Sequence, residues 1–251
     1  MKYALITGGS SGIGYELARI FSKNGYHIII NGSNKEKLEN AKKGLEKEFK
    51  NTVQTFVQDL SKPGSAQKLY DQIQNADLEI DILINNAGIG LMDATELIDF
   101  TADEQLMHLN VISLVQLCKL FLPQMYRRGK GKILNLASVA AFQPGPFNST
   151  YFASKSFVLS YSRAIRFEAK QKGIQVCTLC PGTTKTKFFD REGIKAPPAA
   201  VEPQVVAEYA YRKLMKNQEI IIPGTFNKFS RMIPVSLRIR LSAMMTKLQD
   251  S

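Results

Sequence analysis

Short apolar runs alternate with longer amphipathic segments from residue 3 to residue 222. Many of the runs are rich in Ile, Val and Leu on both faces, which is typical of parallel strands covered on both sides. The runs predict seven strands, at Tyr3–Thr7, His27–Asn31, Thr52–Val57, Ile80–Asn85, Lys132–Leu136, Ile174–Leu179 and Glu219–Ile222. The segments between them predict six helices, at Gly12–Asn24, Lys35–Phe49, Gly64–Asn75, Asp103–Arg128, Thr150–Lys172 and Glu202–Lys216. This alternation indicates an α/β fold, a doubly wound parallel sheet of about seven strands with helices on both faces.

Chain length and the irregular stretches indicate the domain organisation. The 251 residues fit one α/β domain, so residues 1–251 are interpreted as a single domain. Residues 183–201 and 225–251 are the least regular parts, and long loops in a compact domain usually serve function. We therefore expect a substrate-region loop in the first stretch and a C-terminal helical segment in the second.

A C-terminal helix is predicted to start after Pro234. Its apolar residues recur at helical spacing and form one stripe, made of Leu237, Leu241, Met244, Met245 and Leu248. Arg238, Arg240 and Lys247 lie largely off that stripe. Three interpretations stay open, namely a lid over an apolar substrate, packing on its own domain or a sister subunit, and contact with an anionic lipid surface.

Composition and charge narrow the class of protein. The chain is 44% hydrophobic and 22% charged, which is ordinary for a globular protein. No apolar run approaches the roughly 20 residues of a membrane span, and no secretory signal is recognised, so we expect a cytoplasmic protein. The net charge of +11 attracts polyanions, but no nucleic-acid-binding motif accompanies it. A basic nucleic-acid- or membrane-binding module is therefore disfavoured.

The three cysteines predict neither a disulfide nor a metal site. Cys177 and Cys180 form a C-x-x-C pattern within a predicted buried strand. Three steps of a strand span about 10 Å and place the two side chains on opposite faces, whereas a disulfide needs Cα atoms within about 7 Å. No second Cys/His pair completes a zinc site, and His27 and His108 are interpreted as structural.

A glycine-rich turn follows the first predicted strand. Residues 7–14 read Thr-Gly-Gly-Ser-Ser-Gly-Ile-Gly and open the first helix. Glycine lets backbone N–H groups approach a pyrophosphate, and the helix N-terminus favours its negative charge. The position of this turn in the first strand–helix unit predicts a dinucleotide-binding site.

Six motifs in order resemble the short-chain dehydrogenase/reductase family in its compact form, with its Rossmann-like fold. They are Thr7–Gly14 (T-G-x-x-x-G-x-G), Asn85–Gly88 (N-N-A-G), Asn110, Ser138, Tyr151–Lys155 (Y-x-x-x-K) and Pro181–Thr186 (P-G-x-x-x-T). The resemblance implies an NAD(P)-dependent oxidoreductase that interconverts a ketone or aldehyde and an alcohol. It also implies a small-molecule carbonyl or alcohol substrate. A homodimer or homotetramer is expected, with the helices at 103–128 and 150–172 able to form the interface.

The same resemblance implies the site residues. The catalytic set is Asn110, Ser138, Tyr151 and Lys155. The cofactor-binding set is Gly8, Ser10, Ser11, Gly12, Ile13, Gly14, Asn31, Ser33, Asp59, Leu60, Asn86, Ala87, Gly88, Tyr151, Lys155, Pro181, Gly182, Thr184 and Thr186. In the family the lysine also holds the nicotinamide ribose, and the asparagine supports a water chain to the lysine.

The residues themselves support proton transfer at Tyr151. Tyr151 and Lys155 are four apart, so on a helix they share one face. An ammonium close to a phenol favours the phenolate, and we therefore expect Lys155 to lower the pKa of Tyr151. Tyr151 then exchanges a proton with the substrate oxygen, and Ser138 donates a hydrogen bond to that oxygen.

The choice of nicotinamide cofactor depends on the end of the second strand. NAD-binding proteins usually carry an acid there, but residues 31–35 read Asn-Gly-Ser-Asn-Lys. We therefore expect NADP(H) in preference to NAD(H), with hydroxyls, Asn34 and Lys35 available to a phosphate, although the arginine of many NADP-binding relatives is absent at Ser33. Asp59 is interpreted either as an adenine contact or as a helix-cap-type acid. The alternative function is a low-turnover NADP-binding regulatory or membrane-surface protein.

Overall fold

The protein forms a seven-stranded parallel sheet with helices on both faces, as predicted. The computed structural model describes residues 1–188, 200–229 and 234–247. The strands are β1 Tyr3–Thr7, β2 His27–Gly32, β3 Val53–Val57, β4 Ile80–Asn85, β5 Lys132–Leu136, β6 Gln175–Leu179 and β7 Ile220–Ile221. The described helices are α1 Gly12–Lys23, α2 Lys35–Glu48, α3 Ser65–Asn75, α4 Phe100–Met107, α5 Ser113–Arg128, α6 Ser149–Lys170, α7 Pro203–Met215, α8 Thr225–Phe229 and α9 Val235–Lys247.

The order of the strands places a crevice at the middle of the sheet. The order is β3-β2-β1-β4-β5-β6-β7, and every pair is parallel. The chain therefore runs outward from β1 to β3 and then returns to β4 on the other side of β1. The carboxyl ends of β1 and β4 lie at this reversal, which is where ligands bind in open α/β sheets.

The hydrophobic core lies in two layers, one on each face of the sheet. Alternate residues of β1 illustrate this, because Leu5 packs on the side of α3, α5 and α6, whereas Ile6 packs on the side of α1, α2 and α7. Cys177 and Cys180 likewise belong to opposite layers, and both are buried and form no disulfide. The prediction that their side chains lie on opposite faces is confirmed. Burial raises the pKa of Cys177 to about 11, which leaves an unreactive thiol.

The fourth predicted helix, Asp103–Arg128, differs from expectation. It begins three residues earlier, at Phe100, because the Asp99 carboxylate accepts the backbone N–H of Thr101 at 2.7 Å and caps it. The α-helical pattern is then interrupted by one π-helical turn, His108–Ile112, before α5 continues. Such turns recur at functional sites and are not visible in hydrophobic periodicity.

The same long helix is the one candidate for a membrane span among the described residues. Phe100–Arg128 is long and apolar enough by length and composition, which the sequence analysis did not recognise. Half of its most apolar stretch is buried, with Leu117, Phe121 and Met125 in the core layer beneath the sheet. These contacts make it a core helix of the fold.

The two segments expected to form the substrate region are described in part. Within residues 183–201, the structure describes 183–188 and 200–201; positions 189–199 lie outside the described residues. The helix predicted after Pro234 is confirmed as α9, while Leu248 lies outside the described part.

Candidate active site

A cleft of about 440 Å³ opens at the carboxyl ends of β1 and β4. It brings together most residues that the sequence analysis assigned to a cofactor. Those in its wall are Gly8, Ser10, Ser11, Gly12, Ile13, Gly14, Asn31, Ser33, Asp59, Leu60, Asn86, Ala87, Gly88, Tyr151, Lys155, Pro181 and Thr186. One continuous site therefore extends from the end of β2 to the start of α6.

Glycine is required at two positions in the floor of this cleft. Gly8 has a φ of +63°, a left-handed conformation that residues with a Cβ rarely adopt. A Cβ at Gly14 would overlap the carbonyl oxygen of Gly8 and the side-chain nitrogen of Asn86. The chain thus approaches itself closely, and its backbone is exposed to whatever the cleft holds.

Thr7 and Asn86 join the two loops that form the floor. The Thr7 hydroxyl accepts the backbone N–H groups of Asn86 and Ala87, both at 3.0 Å. The Asn86 amide donates to the carbonyl oxygens of Thr7 at 2.9 Å and Gly8 at 3.1 Å. Asn86 is therefore a residue that shapes the cleft, because these bonds occupy its amide nitrogen.

The N-terminus of α1 faces the cleft and suits an anion. Ser11 stands at the cap position, and its side chain makes no capping hydrogen bond to α1. The helix dipole and free N–H groups of the first turn favour negative charge there. Thr186 lies over this turn, since a Cβ at Gly12 would lie 3.0 Å from its methyl carbon, and the next residue, Lys187, also lines the cleft. Lys187 was not predicted as a site residue, although it is a cation directly after the predicted Thr186.

The far end of the cleft combines structural and free polar groups. The Asn31 amide donates to the carbonyl oxygens of Phe56 and Gln58, both at 3.1 Å, so it links β2 to the end of β3. One Asp59 carboxylate oxygen accepts the N–H and hydroxyl of Ser61 and closes a turn after β3, whereas the N-cap of α3 is Gly64. Asp59 also lines the cleft. Ser33 lies exposed in the cleft wall, directly before the residue that caps α2.

Two residues expected to receive a phosphate are not in the cleft wall. The side-chain oxygen Oδ1 of Asn34 accepts the backbone N–H of Lys37 at 2.9 Å and caps α2. Lys35 is exposed outside the residues that line the cleft. Ser33 and the N-terminus of α2 are therefore the groups left to bind a 2′-phosphate.

Tyr151 and Lys155 share the inner face of α6, as their spacing predicts. Lys155 is 5% exposed, and its Nζ lies 5.6 Å from the centre of the Tyr151 ring. That ammonium donates a hydrogen bond to the carbonyl oxygen of Leu136 at 3.2 Å. Ser138 caps the short 3₁₀ helix Val139–Phe142, because its hydroxyl accepts the N–H of Ala140 at 3.1 Å, and it is close enough to Tyr151 to lower the pKa of the phenol. Tyr151 and Lys155 therefore line one end of the cleft, with Ser138 next to Tyr151.

Asn110 lies behind this group, on the π-helical turn. It is buried, and its amide holds both backbone groups of Ile89, accepting the N–H at 3.0 Å and donating to the C=O at 2.9 Å. It also donates to the Ser154 hydroxyl at 3.2 Å. A Cβ at Gly88 would lie 3.1 Å from the Asn110 oxygen and 3.2 Å from the Lys155 ammonium, so these two polar groups flank the same glycine.

Burial, and not Lys155, controls the pKa of Tyr151 in this structure. Burial raises the pKa of the Tyr151 phenol to about 12, and the hydrogen bond with Ser138 opposes it. Burial also lowers the pKa of Lys155 to about 8, since a buried ammonium loses its hydration. The expectation that Lys155 lowers the tyrosine pKa is therefore wrong for the protein without its cofactor.

Gly182 and Thr184 lie away from the cleft wall, contrary to the sequence prediction. The Thr184 hydroxyl donates to the Gly182 carbonyl oxygen at 2.9 Å, and Thr184 pairs with Val201 as a β-bridge. A Cβ at Gly182 would overlap the side chain of Asn227 in α8. These residues shape the segment behind the cleft, because local pairing and packing against α8 occupy them.

Two phenylalanine rings lie next to the ring of Tyr151. The Phe188 ring lies 5.5 Å from the Tyr151 ring, and the Phe152 ring lies 6.0 Å from it. A Cβ at Gly90 would come within 2.5 Å of Phe188, so glycine there lets the ring approach. The sequence analysis missed both phenylalanines. Phe152 lies inside the Y-x-x-x-K motif, and Phe188 follows the P-G-x-x-x-T motif by two residues.

An apolar groove of about 620 Å³ lies on the other side of Phe152. It is formed by the loop after the 3₁₀ helix and the outer face of α6, through Gln143, Pro144, Gly145, Pro146, Ser149, Phe152, Ala153 and Ser156. A Cβ at Gly145 would overlap the Phe152 ring. Phe152 therefore separates this groove from Tyr151.

Comparison with known proteins identifies the family. The family model for short chain dehydrogenases matches residues 2–195. The chain is 36% identical over 187 residues to 17-beta-hydroxysteroid dehydrogenase type 3 of Danio rerio, covering 72% of this chain and 60% of that protein. It is 34% identical over 190 residues to the 3-ketodihydrosphingosine reductase of Bacteroides thetaiotaomicron, covering 76% and 66%. The matches thus span about 60–66% of the length of these relatives.

A solved structure agrees with the family match over nearly the whole chain. The short-chain dehydrogenase from Sphingobium yanoikuyae in complex with NADPH has a TM-score of 0.87 and 28% identity, covering 98% of this chain and 96% of that one. The glycine floor and the α1 N-terminus described above fit a dinucleotide on their own geometry. This chain belongs to the short-chain dehydrogenase/reductase family.

Proposed function

We propose that this protein is an NADP(H)-dependent reductase that converts an apolar ketone or aldehyde to an alcohol. The observation that carries the proposal is the meeting of Tyr151, Ser138 and Lys155 at the end of a glycine-floored cleft. Such a cleft accommodates a dinucleotide along its length and leaves its reactive end beside an acid–base group. When bound, the nicotinamide supplies the hydride that reduces the carbonyl carbon.

The side chains complete the reaction at the substrate oxygen. Ser138 donates a hydrogen bond to the carbonyl oxygen and holds it beside Tyr151. The Tyr151 hydroxyl transfers its proton to that oxygen as the carbon gains hydride, so the alcohol forms and solvent later restores the tyrosine proton. Lys155 lies beside the reacting group, with its Nζ 5.6 Å from the centre of the Tyr151 ring, and its ammonium holds the carbonyl oxygen of Leu136. Asn110 positions Gly88 and Ile89, which lie next to Lys155.

Tyr151 holds its proton in the protein without its cofactor. Burial raises the pKa of the phenol to about 12, and the protonated phenol is the form that a proton donor needs. The tyrosine is therefore able to donate to a carbonyl oxygen, and it takes the proton back when the same site oxidises an alcohol.

The residues at the end of β2 favour NADP(H). Residues 31–33 contain no carboxylate that would repel a 2′-phosphate or bind a 2′-hydroxyl. Ser33 lies exposed in the cleft wall beside the N-terminus of α2, where the helix dipole favours negative charge. These features support NADP(H) over NAD(H).

The surroundings of Tyr151 favour an apolar substrate. Phe188 and Phe152 flank its ring, and the groove behind Phe152 is lined largely by apolar atoms. Two relatives are named for a hydroxysteroid and for 3-ketodihydrosphingosine, both large and mostly apolar molecules. The reacting carbonyl then lies at Tyr151, and the apolar part of the substrate packs on the two phenylalanines.

A homo-oligomer is proposed through the face formed by α6 and the π-helical turn. Ile112 and Phe157 are 44% and 43% exposed there, and the Phe157 ring stacks on Tyr161. The π-helical turn contacts α6, so these apolar side chains lie on neighbouring elements. Burial of such a patch against a second copy removes apolar surface from water.

A panel of ketones with both cofactors tests the proposed function. Oxidation of NADPH and NADH is followed with a homologous series of 2-alkanones from short to long chains, with Tyr151→Phe as the control. We expect turnover with NADPH to exceed that with NADH, and kcat/KM to rise about three- to fourfold per added methylene until the apolar surface is filled. Absence of turnover with every carbonyl and both cofactors overturns the proposal and leaves the low-turnover binding protein.

A further inference from the structure

Two apolar side chains are exposed on one side of α9. Leu237 and Met244 are 49% and 62% exposed. They are seven residues apart, which is about two helical turns, so they lie on one line along the helix. Arg238 lies on another side of the helix, where its guanidinium donates to the Phe142 carbonyl oxygen at 3.1 Å and to the Gln143 side chain at 3.3 Å. The arginine side therefore rests on the domain, and the apolar line faces outward.

The sequence around this apolar line is basic. The sequence from Ile220 to Gln249 contains no acidic residue and five basic ones, Lys228, Arg231, Arg238, Arg240 and Lys247. Of these, Lys228 and Arg240 are exposed in the described structure. Arg240 lies between Leu237 and Met244 on the same side of α9, and the Lys228 ammonium lies 5.5 Å from the centre of the Tyr209 ring in α7. Exposed apolar side chains accompany them, with Phe226 in α8 at 79% and Val235 at the start of α9 at 45%.

We propose that α8 and α9 form a lipid-binding surface that attaches the protein to an anionic membrane. A helix with an outward apolar stripe and flanking cations lies in the plane of a bilayer interface, with its apolar side chains below the headgroups and its cations on lipid phosphates. Phe226, Leu237 and Met244 supply the apolar contacts, and Lys228 and Arg240 supply the charge. The proposal does not depend on catalysis.

The charge of the surface favours lipid over a second copy of the chain. Two identical copies that meet through this surface would oppose their cations, with no acidic residue between Ile220 and Gln249 to pair them. An anionic bilayer supplies the opposite charge over the whole surface. Each exposed cation near such a bilayer contributes about fivefold in affinity, and salt weakens the contribution.

Vesicle sedimentation tests the proposal. The full chain is mixed with vesicles of phosphatidylcholine alone, or of phosphatidylcholine with one third phosphatidylglycerol, at low and at high salt. We expect binding to the anionic vesicles at low salt, loss of most of it at high salt, and little binding to neutral vesicles. Protein that stays in the supernatant with anionic vesicles at low salt overturns the proposal.

Matched variants separate lipid contact from general charge and from folding. The double change Lys228→Glu with Arg240→Glu is expected to weaken binding to anionic vesicles at least about twentyfold. The control is Lys37→Glu with Lys43→Glu, which changes two exposed lysines on α2 and should weaken binding far less. Leu237→Ser with Met244→Ser also weakens binding, and Val205→Ser, an exposed apolar residue of α7, leaves it unchanged. Circular dichroism and ketone reduction confirm that each variant is folded. Equal losses of vesicle binding in the test and control variants overturn the proposal. It is also overturned if the wild type does not bind vesicles and the double change Leu237→Ser with Met244→Ser lowers the oligomeric mass, because the two side chains then contact a second copy of the chain.

Discussion

At the level of individual residues, burial gives the site its acid–base character. Burial favours the neutral form of both the Tyr151 phenol and the Lys155 ammonium. The tyrosine consequently keeps the proton that reduction requires. The lysine carries a desolvation penalty in the folded protein that it does not carry in the unfolded chain.

The Lys155 penalty predicts an unusual dependence of stability on pH. Between the folded pKa of about 8 and the reference value of 10.5, the unfolded chain holds a proton that the folded protein has released. Folding stability therefore rises with pH across this window as the penalty is relieved. Relative to Lys155→Met, the wild type is expected to gain up to about 3 kcal/mol in free energy of unfolding, since each unit of pKa corresponds to about 1.4 kcal/mol.

Urea unfolding of both proteins at several pH values from 7.5 to 10.5, without dinucleotide, measures this difference. Other titrating groups are common to the two proteins and cancel. Parallel stability profiles for the wild type and Lys155→Met would contradict the lowered pKa.

Ser33 is expected to set the cofactor preference. The change Ser33→Asp places a carboxylate in the cleft wall, where it repels a 2′-phosphate and accepts a hydrogen bond from a 2′-hydroxyl. The ratio of Kd for NADPH to Kd for NADH should rise by at least about tenfold, or about 1.4 kcal/mol. Titration at fixed salt measures both constants, and Lys35→Ala, outside the cleft wall, serves as the control with a ratio near that of the wild type.

At the level of elements, the glycine turn between β1 and α1 is the most demanding part of the cleft. At Gly14 the obstructing groups are the Gly8 carbonyl and the Asn86 amide, and both belong to the floor. Gly14→Ala should therefore weaken NADPH binding by at least about tenfold, and also lower Tm, because the floor must open to admit the methyl group.

Gly44→Ala is the matched control in α2. Its new methyl group meets only the hydroxyl end of Tyr15, which is able to move. Helix propensity then favours alanine by up to about 1 kcal/mol, and NADPH affinity stays unchanged. Equal NADPH affinity of Gly14→Ala and the wild type would reject the role of this glycine.

The elements also explain what the sequence predicted and what it did not. The strands follow from continuous Ile, Val and Leu runs, so β1, β4 and β5 were predicted with correct bounds. The π-helical turn was missed because no residue type or motif within the predicted helix Asp103–Arg128 marks the change of hydrogen bonding at His108–Ile112. Hydrophobic periodicity reports burial and does not report which hydrogen bond closes a turn.

The candidate site was predictable where a motif fixes the local backbone. Thr7–Gly14 and the Tyr151–Lys155 pair lie where the resemblance implied, but Gly182 and Thr184 do not line the cleft. Their positions depend on contacts with Asn227 and Val201, more than 15 residues later in the chain. Phe188 and Lys187 were missed for the same reason, because only the fold brings them to Tyr151 and to α1.

At the level of the whole molecule, the exposed face of α6 predicts self-association. Phe157→Glu places a carboxylate in the apolar patch and should reduce the mass in solution from a multiple of the 28.0 kDa chain towards a single chain. Light scattering after size-exclusion chromatography measures this mass. Val205→Glu, on the α7 side of the sheet, is the control and should leave the mass unchanged.

The most direct test of the account is a single-turnover comparison of the wild type with Tyr151→Phe. The variant keeps the ring between Phe152 and Phe188 and loses only the hydroxyl that donates the proton. With a reducible ketone and bound NADPH, the rate of NADPH oxidation should fall by about 10² to 10⁴, while the Kd for NADPH stays within about twofold. A variant rate within about threefold of the wild type, less than about 1 kcal/mol of barrier, would contradict the assignment of Tyr151 as the proton donor.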